Sequence, residues 1–121
     1  MTSPQIGRVS QICLGFPEAI VERVEGEAHL IYRVRTRTFA YYLENHHGDD
    51  EIALCCKVEA GMNQALVDAD SSRFFMPTYL GHRGWVSIRL ERVDVDWEEL
   101  ADLVETSYRL VAPKTLVRQL S

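Results

Sequence analysis

A chain of 121 residues, 46% hydrophobic and 26% charged, has the size and composition of one ordinary globular domain, which excludes fibrous and disordered classes. No apolar run approaches the roughly 18 residues of a membrane span, and the opening MTSPQIGRVS has neither the basic start nor the apolar middle of a secretion signal, so we expect a cytoplasmic protein with no membrane partner. Thirteen Lys plus Arg against eighteen Asp plus Glu give a net charge of -5, which excludes the whole-surface basic character common among nucleic-acid binders and leaves only a local patch for that role.

In chain order, Ser3 and Pro4 read as the cap and first residue of a helix whose Ile6, Val9, Cys13 and Phe16 share one face, stopped by Gly15 and Pro17. AIVERV and AHLIYRV are strand-like on either side of a turn-prone EGE, and TFAYYL and EIALCCKV follow on either side of NHHGDD, which makes an antiparallel meander. MNQALVDA places Met62, Leu66 and Ala69 at helical spacing. Residues 73–77 and 84–90 read as two more strands, joined by TYLGHR, where Gly81 and Gly84 permit an irregular path and a functional edge. The last helix is the clearest: Asp96 caps it, Glu99 completes a capping box, and Trp97, Leu100, Ala101, Leu103, Val104 and Tyr108 form its apolar stripe up to Ala112 and Pro113. The order helix, three or four strands, helix, two strands, helix predicts a single two-layer α+β domain over residues 1–121, with helices packed on one face of an antiparallel sheet. The other face must meet water or a partner.

Charge is segregated along this chain. Residues 30–43 hold Arg33, Arg35 and Arg37 and no acid, whereas ENHHGDDE at 44–51 holds four acids and no Lys or Arg. One reading of the arginines is the solvated side of a one-faced sheet, where alternating polar residues are expected. The other is a patch in which Lys57, Arg83 and Arg89 join them on the open face, with Tyr32, Tyr41, Tyr42 and Trp85 as stacking or packing groups. Trp85 alternates with Val86, so one of the two faces the core and the other does not.

Read together, ICLGFPEAIVER, YRVRTRTFAYY, LCCKV, FFMPTYLGHRGWVSI and ETSYRLVAPKTL resemble the MmcQ/YjbR family of small bacterial proteins over nearly the whole chain. The segments that carry the resemblance are Cys13, Leu14 and Pro17, the Phe39-Ala40 pair, Lys57, the block Pro77 to Val86, and SYRLVAPK at 107–114. The resemblance implies a fold like that of secretion chaperones, and DNA binding through a double-wing arrangement of hairpins. It also implies a turn in the middle of VRTRTF, at the position where Thr36 stands for a common glycine, so that Arg35 and Arg37 flank a hairpin tip.

Other chemistries find less support. His46, His47, Asp49 and Asp50 are rich in metal ligands, but adjacent histidines in a turn converge poorly and a solvated loop explains them. The three cysteines, Cys13, Cys55 and Cys56, are odd in number and unpatterned, as suits reduced thiols; Cys55 and Cys56 cannot both reach one metal from a regular strand. Cys13 with His29 or His82 would be a nucleophile and base only if the fold joined them, and it lies on an apolar helix face. No hydrolase, zinc-protease, phosphate-loop or dinucleotide motif is present. We therefore expect a non-enzymatic protein without cofactor that contacts DNA phosphates through Arg33, Arg35, Arg37, Lys57, Arg83, Trp85 and Arg89. The alternative is a protein-interaction module that holds a partner chain or a second copy of itself on its sheet face or edge.

Overall fold

The computed structural model describes residues 5–23, 29–44, 51–91 and 94–120. Its strands are β1 (Ala19–Arg23), β2 (Leu30–Val34), β3 (Arg37–Glu44), β4 (Ile52–Lys57), β5 (Phe74–Phe75) and β6 (Trp85–Arg89), and its helices are α1 (Gln5–Cys13), α2 (Met62–Ala69), α3 (Trp97–Val111) and the short α4 (Lys114–Val117). The expected helix cap at Ser3 and Pro4 and the turn residues His46, His47, Asp49 and Asp50 lie outside the described residues.

All strand pairs are antiparallel, in the order β1-β2-β3-β4-β6-β5. The first four strands form the expected meander. β4 and β5 then run parallel with β6 inserted between them, and α2 makes the crossover.

One sheet face carries the core. Tyr32, Ala40, Cys56 and Val86 stand opposite one another across four strands, as do Leu30, Tyr42, Leu54 and Ile88, and all are buried. Against them α3 turns Leu100, Val104, Ser107, Tyr108 and Val111, the stripe of a helix buried along one side. Its cap is as read from the sequence, with the Asp96 carboxylate accepting from the Glu99 N–H at 3.1 Å. α1 adds Val9 and Cys13, and the Ser10 and Tyr32 hydroxyls lie 2.6 Å apart in a hydrogen bond.

The helix expected from MNQALVDA is α2, with Met62 and Ala69 exposed and an inner side of Asn63, Leu66 and Val67; one expectation needs correction, the strand over 73–77. Asn63 is turned inward because its amide donates to the Gly81 and Trp85 carbonyls at 2.8 and 3.1 Å, so a polar residue sets the helix's rotation. The strand expected over 73–77 is paired only at Phe74 and Phe75.

The polar centre of the core is Ser107. Its hydroxyl donates to the Phe39 carbonyl at 2.6 Å and accepts from the Lys57 N–H at 2.8 Å, just beyond the last paired rung of β3 and β4 at Ala40 and Cys56. Next to it Tyr108 stacks on Phe16 at 4.9 Å, meets Phe39 edge-on at 5.4 Å and donates to the Pro17 carbonyl at 2.7 Å. Ser107→Ala leaves a buried carbonyl and an N–H without this partner, and we expect a loss of about 2–4 kcal/mol. Urea unfolding of the variant and wild type measures it; a difference below about 0.5 kcal/mol would show that the bridge is not structural.

Candidate functional site

The sheet face away from α3 is built from Ile20 and Glu22 of β1, Ile31 and Arg33 of β2, Thr38, Tyr41 and Leu43 of β3, Ala53, Cys55 and Lys57 of β4, Trp85, Ser87 and Arg89 of β6, and Phe75. Its middle is closed by its own large side chains. Trp85 points to this side, away from Val86, yet is only 8% exposed, and its ring centre lies 5.4 Å from that of Tyr41. Ala53, Cys55 and Ser87 are buried beside them, with Cys55 Sγ and Ser87 Oγ in contact at 2.9 Å. Trp85 is thus both outward-facing and packed, a combination that strand alternation alone does not anticipate.

The hairpin tip lies where the resemblance put it. Arg35 and Thr36 are the two turn residues between β2 and β3, and Arg35, not Thr36, takes the left-handed backbone with φ 58°. A positive φ at the first of two hairpin residues is the sign pattern of a turn that favours glycine there. A bulge follows: Tyr32 pairs with Ala40 but Arg33 pairs with Thr38, so Phe39 is the extra residue and enters the core.

Of the seven residues singled out from the sequence, the six cations fall into two groups. Arg33 donates to Glu22 at 3.1 Å, Arg35 grips Glu18 with two bonds of 2.5 and 3.0 Å, and Arg89 pairs with Glu51 while its guanidinium lies over the Phe75 ring. Each of these arginines has its charge answered within the fold. Arg37, Lys57 and Arg83, by contrast, have no carboxylate partner among the described residues. All three sit toward one end of the sheet but not on one face: Arg37 opens β3 opposite the buried Val34 and so lies on the α3 side, Lys57 closes β4 opposite Trp85 on the other side, and Arg83 ends the 3-10 turn Gly81–Arg83 that leads into β6.

Glu18 is a residue that sequence reasoning missed. Its backbone is also left-handed, with φ 58°, and the Arg35 guanidinium bonded to its carboxylate holds its pKa below the ordinary value of 4.5. The acid is 17 positions from Arg35 in sequence, so only the pairing of β1 with β2 reveals the contact.

For the remaining candidates, Cys13 is buried among apolar groups that push its thiol up to about 12, and Cys55 is raised to about 11 by burial, so both stay protonated at neutral pH. Burial raises Cys56 as well. Among the described residues no group of three or more His, Cys, Asp or Glu is placed to hold a metal, and no helix is long and apolar enough to cross a membrane.

A model of the YjbR family matches residues 14–110 of this chain. The crystal structure of Deinococcus radiodurans protein DR2400, which carries the domain DUF419, is similar with a TM-score of 0.75 and 21% identity, over 99% of this chain and 91% of that one. That likeness shows a shared fold. None of the curated proteins compared matches the chain.

The Glu18–Arg35 pair gives a pH test with a definite sign. Because the carboxyl pKa is depressed in the folded state, its contribution to stability is present above the ordinary value of 4.5 and is lost as pH falls through the folded value. Glu18→Gln should therefore be less stable than wild type at neutral pH, and the two unfolding curves should converge as the medium is acidified below that value. A gap that stays constant with pH would show that the pair does not contribute.

Proposed function

The chain belongs to the YjbR family, and from that premise we propose that it is a binding domain without catalytic chemistry whose target is DNA, held through phosphate contacts by Arg37, Lys57 and Arg83. The observation that supports this is the division of cations just described. Arginines locked to carboxylates give up little to a phosphate, whereas Arg37, Lys57 and Arg83 lack such partners among the described residues and lie toward the hairpin end of the sheet, Arg37 on the α3 side of β3 and Lys57 on the other face. Contacts of this kind position a protein on a nucleic acid and carry little sequence information. With a net charge of -5 the rest of the surface opposes approach, so binding is modest and depends on low salt.

Three neutralised phosphates predict a salt slope of roughly -2 to -3, or about a 20–40-fold loss of affinity between about 50 and 200 mM salt. Anisotropy of labelled DNA should show that slope for the wild type and for Arg33→Ala/Arg35→Ala. It should collapse for Arg37→Ala/Lys57→Ala/Arg83→Ala. Wild-type binding no tighter than that of a like-charged control protein, or a triple variant with unchanged slope, would sink the reading.

A second reading, a protein-interaction surface, is favoured by the apolar character of the open face. Ile20 is 55% exposed on the edge strand β1, Ile31, Tyr41, Leu43 and Phe75 are partly exposed, and the Arg33–Glu22 and Arg89–Glu51 pairs leave that area electrically neutral. Self-association through it would persist at salt concentrations that strip DNA. Light scattering of the purified protein at low and high salt checks this: a mass that stays at one chain, 13.9 kDa, in both would exclude the homodimer.

A further inference from the structure

We infer that the outer edge of β1 is a self-association seam, to which a second copy of this chain adds its own β1 antiparallel about a two-fold axis; the inference rests on the protein-interaction reading above and moves its contact from the open face to the sheet edge. β1 ends the strand order, and Ile20, Val21, Glu22 and Arg23 are all exposed. Ile20 points to the open face and is 55% exposed, whereas Val21, opposite the buried Tyr32, points to the helix side and is 42% exposed. Leu14, 40% exposed, adds to the helix side: its N–H donates to the Ser10 carbonyl at 2.8 Å, which puts it one turn beyond Ser10, whose hydroxyl is bonded to that of Tyr32. Three of the six large hydrophobic side chains exposed among the described residues thus gather at one edge, on both of its faces.

A strand edge dictates the form of its partner more strictly than an apolar patch does. It turns a row of backbone N–H and C=O groups outward, and another extended strand answers them while covering the apolar side chains above and below. The opposite edge of this sheet is guarded: β5 pairs over two residues only, Phe74 is buried, and the Arg73 guanidinium lies over its ring. β1 is five residues long and has no such cover among the described residues.

Charge complementarity selects a second β1 as the occupant and fixes its register. Antiparallel addition at one edge keeps the two sheets face to face in the same sense, so the helices of both copies stand on one side and residues of the same face meet. With Val21 on the axis, Val21 meets Val21 of the copy, Ile20 meets Glu22, and Ala19 meets Arg23, so no two like charges stand opposite one another. An axis at Glu22 would set two carboxylates together, and one at Ile20 would bring Glu22 to the level of Glu18. Arg23 has no carboxylate partner among the described residues. In the Val21 register it is carried to Ala19 of the copy, one position from Glu18, while Glu22 keeps its own Arg33.

Light scattering of the whole chain over a concentration series from about 10 μM to about 1 mM, the range that so small an interface requires, tests the inference. We expect the mass to rise from 13.9 kDa toward twice that value. Val21→Lys, which sets two ammonium groups together on the axis, should weaken association at least about tenfold, and Ile31→Lys, set inward on the open face, should leave it unchanged. Matching thermal melts confirm that both variants fold. Val21→Cys should oxidise to a disulfide-linked dimer, because opposite Cβ atoms lie about 5 Å apart and a small adjustment joins them. The native thiols do not compete, since burial pushes Cys13 up to about 12 and Cys55 up to about 11 and raises Cys56 as well. Association that survives Val21→Lys and is lost in Ile31→Lys overturns the seam and leaves the open-face reading standing. A Val21→Cys chain that stays reduced under air, at concentrations where the wild type is dimeric, also overturns the seam. A mass of one chain at every concentration overturns both.

Discussion

The Ser107 hydroxyl, wedged between the Phe39 carbonyl and the Lys57 N–H, is the contact on which the arrangement of the sheet and its main helix depends. A helix that packs on a sheet through apolar side chains alone can slide, because dispersion and burial are not directional. A hydroxyl that must both give and accept a bond to two particular backbone groups cannot. It fixes α3 in depth and in register, and the adjacent Tyr108 then fixes it in rotation by reaching Pro17 at the end of the segment after α1. Two consecutive residues thus tie the last helix to the middle of the sheet and to the start of the chain. The same bridge holds Lys57, so the position of one candidate phosphate contact is inherited from the core.

Charge is used in two different ways on this molecule. Pairs such as Arg35–Glu18, Arg73–Glu99 and Arg89–Glu51 join segments distant in sequence, and as exposed or half-exposed pairs they specify which segments meet more than they add stability. Arg37, Lys57 and Arg83 join nothing of that kind among the described residues. In a chain with an excess of acids, cations left out of the internal pairings keep their charge for an anion from outside. The local arrangement matters here, and the net charge only sets how strong the result can be.

Much of this was legible in the amino-acid sequence, and the rest was not for identifiable reasons. Periods of 3.6 and 2 are imposed by local geometry, so α3 with its Asp96 cap, the meander and the final α+β order could be read directly. The resemblance of the segments around Pro17, Phe39, Pro77 and Ser107 put a hairpin tip at Thr36 between Arg35 and Arg37, and the structure has Arg35 and Thr36 as its two turn residues. What depended on contacts across the sheet could not be read. Periodicity showed that MNQALVDA is helical but not that two carbonyls of a loop some twenty residues later draw Asn63 inward. Alternation required that one of Trp85 and Val86 be core, without showing that the outward one would bury itself against Tyr41. The arginine row suggested one patch because the answering acids, Glu18 and Glu22, lie on a neighbouring strand and the residue leading into it.

The place of β6 in the strand order also bears on how the chain is made. β4, whose Ala53, Leu54, Cys55 and Cys56 are all buried in the finished fold, has one side satisfied by β3 immediately before it, but its other side waits for a strand that begins at Trp85. During synthesis, an apolar strand edge with two thiols stays open while the intervening segment, α2 and β5 included, is still being added. Until then the growing polypeptide offers a template for its neighbours, and its tendency to associate wrongly is set by the interval between two strands that end up side by side.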